Sequence, residues 1–386
     1  TGAVNKFQRI LGLKIPEQVK GLFEIKEEDR PVVFVSHMEH HSNQTSWLET
    51  IATVEVIPCN EEGLFCLENF ERLLKKYENR AVKIASVTSC SNVTGIKTPY
   101  YEVAKMIHQY NGLCFVDFAC SAPYIEIDMH PKDPEMSLDA IFLSPHKFLG
   151  GPGSSGVLVF NKKLYKNLVP DCPGGGTVQW TTPWGTHKYI ENIEEREDGG
   201  TPGFLQVIRA SLAIRLKEQM GVKNMIEREE ELLKYFFKRI KSCKKISILA
   251  ENHEERLGVL SLNIEGLHHD LAVKILNDRF GIQSRGGCSC AGTYGHYLLQ
   301  IDQKKSSEIL EQVLCGVADM KPGWVRVSIH PTTTNAEMKF VCDAIITLAE
   351  NASDWKKDYV LDGMHYRHIS ENKENPSYLG DSWFQF

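Results

Sequence analysis

Short apolar runs alternate with amphipathic segments along the first 160 residues of the chain. The runs have the length of buried strands, and the segments between them repeat apolar residues at helical spacing. Strands are predicted at 31–35, 53–57, 82–87, 113–116, 140–143 and 156–160, and helices near the start of the chain and at 44–49, 68–78 and 101–110. This alternation is typical of βαβ units, so we predict an α/β fold with a mostly parallel sheet.

The pattern changes after about residue 170. Residues 171–203 carry clustered glycines and two tryptophans but no periodicity, which predicts a long functional loop. Beyond it we predict helices at 204–219, 222–242, 271–279 and 335–350 and strands at 246–249, 258–264 and 324–329. Because strands and helices no longer alternate strictly there, we expect a large domain at 1–220 and a smaller α+β domain at 221–361. The remaining segment, 362–386, is a polar and aromatic tail that is either disordered or docked on a partner, and its aromatic residues favour docking.

Polar loops follow directly on four of the predicted strands. They span 36–43, 88–95, 117–120 and 144–147. In open α/β sheets the ligand lies beyond the carboxyl ends of the strands. We therefore expect these four loops to converge on one crevice.

Lys147 stands between a predicted strand and the glycine-rich stretch 150–156. A lysine buried in such a setting is costly as a cation, but it can serve as a nucleophile or a Schiff base. The alternative is an ordinary surface lysine before a turn. The glycines suggest a phosphate cradle, yet they lack the Gly-Lys-Ser/Thr ending of a nucleotide-binding loop.

Composition excludes several classes of protein. With 44 basic and 50 acidic residues the net charge is −6, which gives no footprint for nucleic acid or for a membrane surface. No apolar run reaches the roughly 18–20 residues of a spanning helix. No signal peptide is visible, but the sequence starts at Thr1 without an initiator methionine, so targeting cannot be judged from it. Eleven scattered cysteines favour reduced thiols and an intracellular, cytoplasmic location.

Asp117 and Lys147 together fit a pyridoxal phosphate site. That cofactor requires a lysine for a Schiff base and a carboxylate that keeps its ring nitrogen protonated. Taken alone, Asp117 could equally cap a helix. A metal site built from His37, His40 and His41 with Cys90 or Cys120 lacks the usual zinc spacing, so we expect no metal.

These motifs, in this order and spacing, resemble the class V aminotransferase family of fold-type I pyridoxal-phosphate enzymes, and within it the cysteine desulfurase and selenocysteine lyase branch. The resemblance runs from Thr1 to about Glu350. It implies a seven-stranded-type sheet sandwiched by helices, pyridoxal 5'-phosphate as cofactor, a small amino acid as substrate, a homodimer and a sulfur-acceptor protein. The implied reaction converts cysteine to alanine and leaves a persulfide on the enzyme.

The resemblance also implies a role for each site residue. Lys147 is similar to the Schiff-base lysine, Asp117 to the partner of the pyridine nitrogen, and His41 to the histidine that stacks on the ring. Asn92 is similar to the residue near the cofactor's phenolic oxygen, and Arg326 to the arginine that binds the substrate carboxylate. Cys290 is similar to the persulfide-forming cysteine, and Arg285 to the arginine ahead of it. The residues similar to ligands of the cofactor's phosphate are Ser144, His146, Thr1 and Thr201, the last one contributed by the second subunit of a dimer.

Three departures from the family pattern leave alternatives open. Only 1–5 remain of the early phosphate loop, Cys120 replaces a common glutamine, and Gly286-Gly287-Cys288 replaces common histidines. The alternatives are another class V reaction (transamination, β-elimination or epimerisation) with Cys290 idle, and a non-catalytic relative.

Overall fold

The main sheet of the computed structural model has six strands in the described part of the chain, which comprises residues 1–22, 24–315, 321–363 and 365–370. They are β1 (Val32–Ser36), β2 (Thr53–Ile57), β3 (Lys83–Thr88), β4 (Leu113–Asp117), β5 (Ala140–Leu143) and β6 (Val157–Phe160). The order is β2-β1-β3-β4-β5-β6; the first five strands are parallel, and β6 runs antiparallel to β5. The predicted α/β fold is confirmed, with one strand fewer than the seven that the resemblance implies.

Helices cover both faces of this sheet, which is why β1 and β3 are buried at every position. Since side chains alternate along a strand, Val33 and Val35 pack on one side with Phe7, and Val32 and Phe34 pack on the other. The helices are α1 (Gly2–Ile10), α2 (His41–Leu48), α3 (Leu67–Lys76), α4 (Tyr100–Gln109), α5 (Ile193–Glu197), α6 (Phe204–Met220), α7 (Val222–Ile240), α8 (His269–Phe280), α9 (Gly292–Leu298), α10 (Gln303–Leu314) and α11 (Asn335–Trp355). No helix in the described ranges is both long and apolar enough to cross a membrane.

A second, antiparallel sheet has its own core. Its strands are β9 (Ile246–Ile248), β10 (Val259–Ile264) and β11 (Val325–Ser328), in the order β11-β10-β9. Apolar residues of α7, α8 and α11 pack with this sheet. Residues of α9 and Trp324, in contrast, pack with the core of the large sheet. The boundary at residue 220 therefore stays a prediction.

The segment 171–203 is less irregular than the sequence predicts. It contains a hairpin of β7 (Val178–Thr181) and β8 (His187–Tyr189) and the short helix α5. At the start of the predicted tail, β13 (His365–His368) pairs with β12 (Tyr359–Asp362), which lies mostly before it. Residues 371–386 of that tail lie outside the described residues, so the expectation that the tail docks on a partner stays a prediction.

Three hydrogen bonds tie the segment 256–261 to the loop after β3. Arg256 Nη1 donates to Thr94 O at 3.1 Å, the Leu257 amide donates to Gly95 O at 2.9 Å, and Ser261 Oγ donates to Val93 O at 2.7 Å. The loop that carries Asn92 is thus held by residues of the predicted smaller domain.

Glu229 lies buried on α7 near this junction, with 2% of its surface exposed. Its Oε1 accepts no hydrogen bond from any described residue. Burial disfavours the charged carboxylate and raises the pKa of Glu229 to about 7. The contribution of Glu229 to the free energy of unfolding is complete at low pH, below the pKa that this residue has in the unfolded chain. That contribution is lost as the pH rises through about 7.

We expect Glu229→Gln to flatten the pH dependence of stability. Between pH 5 and pH 9 the wild type should lose up to about 3 kcal/mol of unfolding free energy relative to this variant. Urea denaturation at both pH values measures the difference. Glu227→Gln removes an exposed charge from the same helix and serves as the control. Parallel pH profiles for wild type and Glu229→Gln would contradict the prediction.

Candidate active site

A cavity of about 1280 Å³ lies at the carboxyl ends of β1, β3, β4 and β5. All four polar loops that the sequence analysis places after strands contribute to its wall. The polar residues on the wall include Thr1, His40, Ser42, Asn92, Asp117, Cys120, Ser144, His146 and Lys147. The parallel register of the strands brings these side chains together, because it aligns their carboxyl ends at one edge of the sheet.

Asp117 ends β4 and is buried, with 6% of its surface exposed. Its Oδ1 accepts the amide of Ala119 at 2.8 Å, a turn of the Asx type rather than a helix cap. Burial raises the pKa of this carboxyl group, whereas the Ala119 amide and the charge of Lys147 oppose the rise. The carboxylate therefore faces the cavity with one oxygen fixed by the backbone.

Lys147 lies on the neighbouring loop, in a 3-10 helix formed by Pro145–Lys147. It is exposed on the cavity wall. The loop turns back closely after it, and a Cβ atom at Gly151 would collide with the carbonyl oxygen of Pro145. The glycine is therefore required by packing.

The two adjacent histidines at the start of α2 have different surroundings. His40 lines the cavity, and its Nδ1 accepts the amide of Ser42 at 3.1 Å as the helix cap. His41 is absent from the cavity wall; its Nε2 accepts the amide of Gly292 at 2.9 Å. His40 is the extended cap residue whereas His41 is the first residue of the helix, so the two side chains leave the backbone in different surroundings. The structure thus corrects the expected position of His41 in favour of His40.

Burial and the charge of Lys147 lower the pKa of His40 to about 4. The imidazole is therefore neutral at physiological pH and adds no charge to the cavity wall. A neutral aromatic ring at this position suits contact with a flat ligand.

Asn92 links the cavity to a second group of predicted site residues. Its side-chain amide donates to Ser289 O at 2.7 Å, and Arg326 Nη1 donates to Asn92 O at 3.1 Å. Asn92 Oδ1 and Arg326 Nε are buried without a hydrogen-bond partner among the described residues. Each of these two atoms can still form a hydrogen bond with a bound ligand.

Arg285 and Arg326 lie side by side, because their backbones pair as an antiparallel bridge. Arg285 Nη2 donates to Cys290 Sγ at 3.3 Å. Burial, followed by the charge of Arg285, lowers the pKa of Arg326. Neither arginine lines the cavity itself, and neither does Cys290; Asn92, which does line it, contacts Arg326 and the neighbour of Cys290, Ser289.

Cys290 lies on a turn of unusual backbone conformation. Ser289 and Cys290 have φ of +54° and +59°, a left-handed conformation that costs a non-glycine residue roughly 1–3 kcal/mol. Three contacts hold the turn: Asn92 and Trp324 donate to Ser289, and the His41 amide donates to Cys290 O at 2.8 Å. Residues from distant parts of the chain thus fix the position of this thiol.

The two remaining predicted phosphate ligands, Thr1 and Thr201, lie in different places. Thr1 lines the cavity beside Ser42, whereas Thr201 is exposed and does not line the cavity of its own chain.

In the described ranges, His37, His40 and His41 do not form a cluster with Cys90 or Cys120 that is close enough to hold a metal ion. Among the described residues, such a cluster occurs only at His268, His269 and Asp270.

Sequence reasoning missed Glu39, which is fully buried beneath the cavity wall. It accepts hydrogen bonds from Ser36, Asn43 and the Thr88 amide. Burial raises its pKa to about 8, and these donors oppose the rise. Its signal in the sequence was a carboxylate between an apolar strand and two histidines.

Residues 19–341 match the aminotransferase class-V family, and the chain belongs to that family. Members of the family are pyridoxal-phosphate enzymes. Among its relatives, a probable cysteine desulfurase from Halalkalibacterium halodurans is 29% identical over 268 residues, covering 67% of this chain and 61% of the relative. A probable cysteine desulfurase from Staphylococcus aureus is 29% identical over 269 residues, covering 68% and 62%. The chain thus spans about three fifths of the length of these curated relatives.

The fold is also that of solved enzymes. The apo cysteine desulfurase from Thermococcus onnurineus NA1 superposes with a TM-score of 0.71 at 24% identity, over 91% of this chain and 77% of that protein. At this identity the likeness establishes the fold.

Proposed function

We propose that this chain binds pyridoxal 5'-phosphate and removes sulfur from cysteine, as a cysteine desulfurase does. The observation that carries the proposal is that a buried carboxylate, Asp117, and a lysine, Lys147, face one cavity from the ends of neighbouring strands. Family membership and the names of the relatives support the same activity.

The residues on the wall fit this cofactor. Asp117 would accept a hydrogen bond from the protonated ring nitrogen, and His40, rather than His41, would lie against the ring. Asn92 offers the buried Oδ1 that has no partner among the described residues. Ser144, His146 and Thr1 provide donors for the phosphate, together with Thr201 of a second copy.

Bound at this site, the cofactor supplies an electron sink for the bond cleavage. The Lys147 amine would hold its aldehyde carbon covalently and then move the proton at the substrate Cα. Arg326 would bind the substrate carboxylate, a role that its planar guanidinium suits and that would give its unpartnered Nε an acceptor.

Cys290 would accept the sulfur atom. Its Sγ would form a bond to the substrate sulfur while the Cβ–S bond of the substrate breaks, so that the sulfur stays on Cys290 as a persulfide. The electron pair of the broken bond would remain with the three-carbon fragment, which is protonated and leaves as alanine. Arg285, whose Nη2 lies 3.3 Å from this sulfur, would stabilise the thiolate that attacks. A sulfur-acceptor protein would then discharge the persulfide.

We further propose a homodimer in a reducing intracellular compartment. The first half of α6 exposes Phe204, Leu205, Val207, Ile208 and Leu212, each by more than half of its surface. A contiguous apolar face of this kind is typical of a protein interface. Thr201 lies just before the helix, so a second copy docked there would bring it near the other cavity. All eleven cysteines are free, which agrees with a reducing environment.

Replacing Lys147 tests the cofactor site. The wild type should take up pyridoxal phosphate with the visible absorbance of a lysine adduct, and borohydride should fix the cofactor on Lys147. Lys147→Ala should lose both signals, whereas Lys163→Ala, at an exposed lysine of the same region, should keep them. Cofactor fixed in Lys147→Ala, or none bound by the wild type, would refute the site.

Replacing Cys290 tests the sulfur chemistry. With cysteine as substrate, Cys290→Ser should form alanine slower by roughly 100-fold or more, because the nucleophile is removed. Mass spectrometry should find one added sulfur atom on the wild type and none on this variant. Cys288→Ser, two residues earlier, is the matched control and should retain the reaction. Pyruvate in place of alanine, or full activity without Cys290, would contradict the proposal.

Replacing Leu205 tests the dimer. We expect light scattering to give twice the chain mass for the wild type and a single chain mass for Leu205→Asp, because a charge in a buried interface is costly. Leu22→Asp changes a leucine of similar exposure outside α6 and should stay dimeric. A monomeric wild type would overturn this assignment.

A further inference from the structure

Two thiols lie together at the floor of the cavity. Cys90 follows β3 and Cys120 follows β4, and their Sγ atoms are 3.7 Å apart. The parallel pairing of Thr88 with Asp117 brings these residues together although they are thirty positions apart. Cys120 lines the cavity, whereas Cys90 is fully buried behind it.

The two thiols are chemically different. The Cys90 S–H donates to Cys120 Sγ, and this hydrogen bond lowers the pKa of Cys120 and raises that of Cys90. Burial opposes the lowering at Cys120, and the charges of Lys147 and Arg326 support it. The accessible thiol is therefore the more nucleophilic one, and the buried thiol keeps its proton.

We propose that Cys90 and Cys120 are an oxidisable dithiol that reacts with a peroxide and closes to a disulfide in the cavity wall. In the first step Cys120 attacks the peroxide; its sulfur gains a hydroxyl group, the O–O bond breaks, and with hydrogen peroxide one water leaves. In the second step Cys90 attacks the sulfenic sulfur, its proton joins the departing hydroxyl, and a second water leaves. Two thiols are oxidised and one peroxide is reduced to two waters.

The geometry of the pair suits this reaction. A disulfide requires sulfur atoms about 2.05 Å apart, so the two Sγ atoms must approach by about 1.7 Å. The bond would join the loop that carries Asn92 to the loop that follows Asp117. It would also replace the Cys120 thiol on the wall by a cross-link. The inference rests on these two sulfur atoms alone and does not depend on the proposed sulfur transfer.

Thiol counting with peptide mapping tests the proposal. The purified, reduced protein is treated with a small excess of hydrogen peroxide, quenched with catalase and alkylated after denaturation. Of the eleven cysteines, two should escape alkylation and recover it after dithiothreitol. Trypsin should release a cross-linked pair of the peptides 84–97 and 106–132. Because 106–132 contains both Cys114 and Cys120, fragmentation must place the bond at Cys120.

Two variants separate the partners. Cys90→Ala should lose the cross-link and leave a sulfenic acid at Cys120 that dimedone traps. Cys114→Ala removes another buried thiol from the same sheet and should keep the cross-link. Eleven alkylated thiols after peroxide, a bond at Cys114, or loss of thiols only at Cys288 and Cys290 would overturn the proposal. Since the mapping is done on the wild type, a variant that fails to fold does not remove the test.

Discussion

A single buried carboxylate fixes the elements that form the cavity. Glu39 accepts four hydrogen bonds, from the amide and hydroxyl of Ser36, from Asn43 and from the amide of Thr88. These donors belong to the end of β1, the first turn of α2 and the end of β3. Burial of a carboxyl group is costly, and four donors at once offset part of that cost. His40 and the loop after β3 therefore take their positions from one polar contact set.

Hydrogen bonds also connect the two sheets through the loop after β3. The loop that begins after Thr88 carries Asn92, and the segment 256–261 holds it from the other side. Asn92 in turn bonds Ser289, and Arg326 bonds Asn92. Arg326 and the neighbour of Cys290, Ser289, thus both contact one asparagine of the cavity wall.

Much of the fold follows from local pattern. The strands of the main sheet were predictable because each is a short apolar run between polar loops, and the parallel order then placed Asp117 and Lys147 at one edge. The pattern failed where burial gives no periodic signal. Helix α10 has no buried residue, and α9 contains two glycines, so neither was predicted.

Site residues were harder to place than strands. The pair His40-His41 shows that a motif can identify a position to within one residue, whereas the direction of each side chain depends on the turn into α2. The bridge between Arg285 and Arg326 joins residues 41 positions apart, so no local pattern in the sequence predicts it. Cys90 and Cys120 are likewise neighbours only through the strand register.

The left-handed turn at Ser289 and Cys290 has a consequence for the folding of the protein. In an isolated segment 285–291 only local contacts, such as those from Arg285 to Cys290 Sγ and from the Ala291 amide to Cys288 O, would oppose the cost of the strained conformation. The strained conformation persists because α2, the loop after β3 and Trp324 all contact it. The position of the thiol thus depends on the complete tertiary structure. A partly folded chain contains Cys290 but does not hold its thiol in this position.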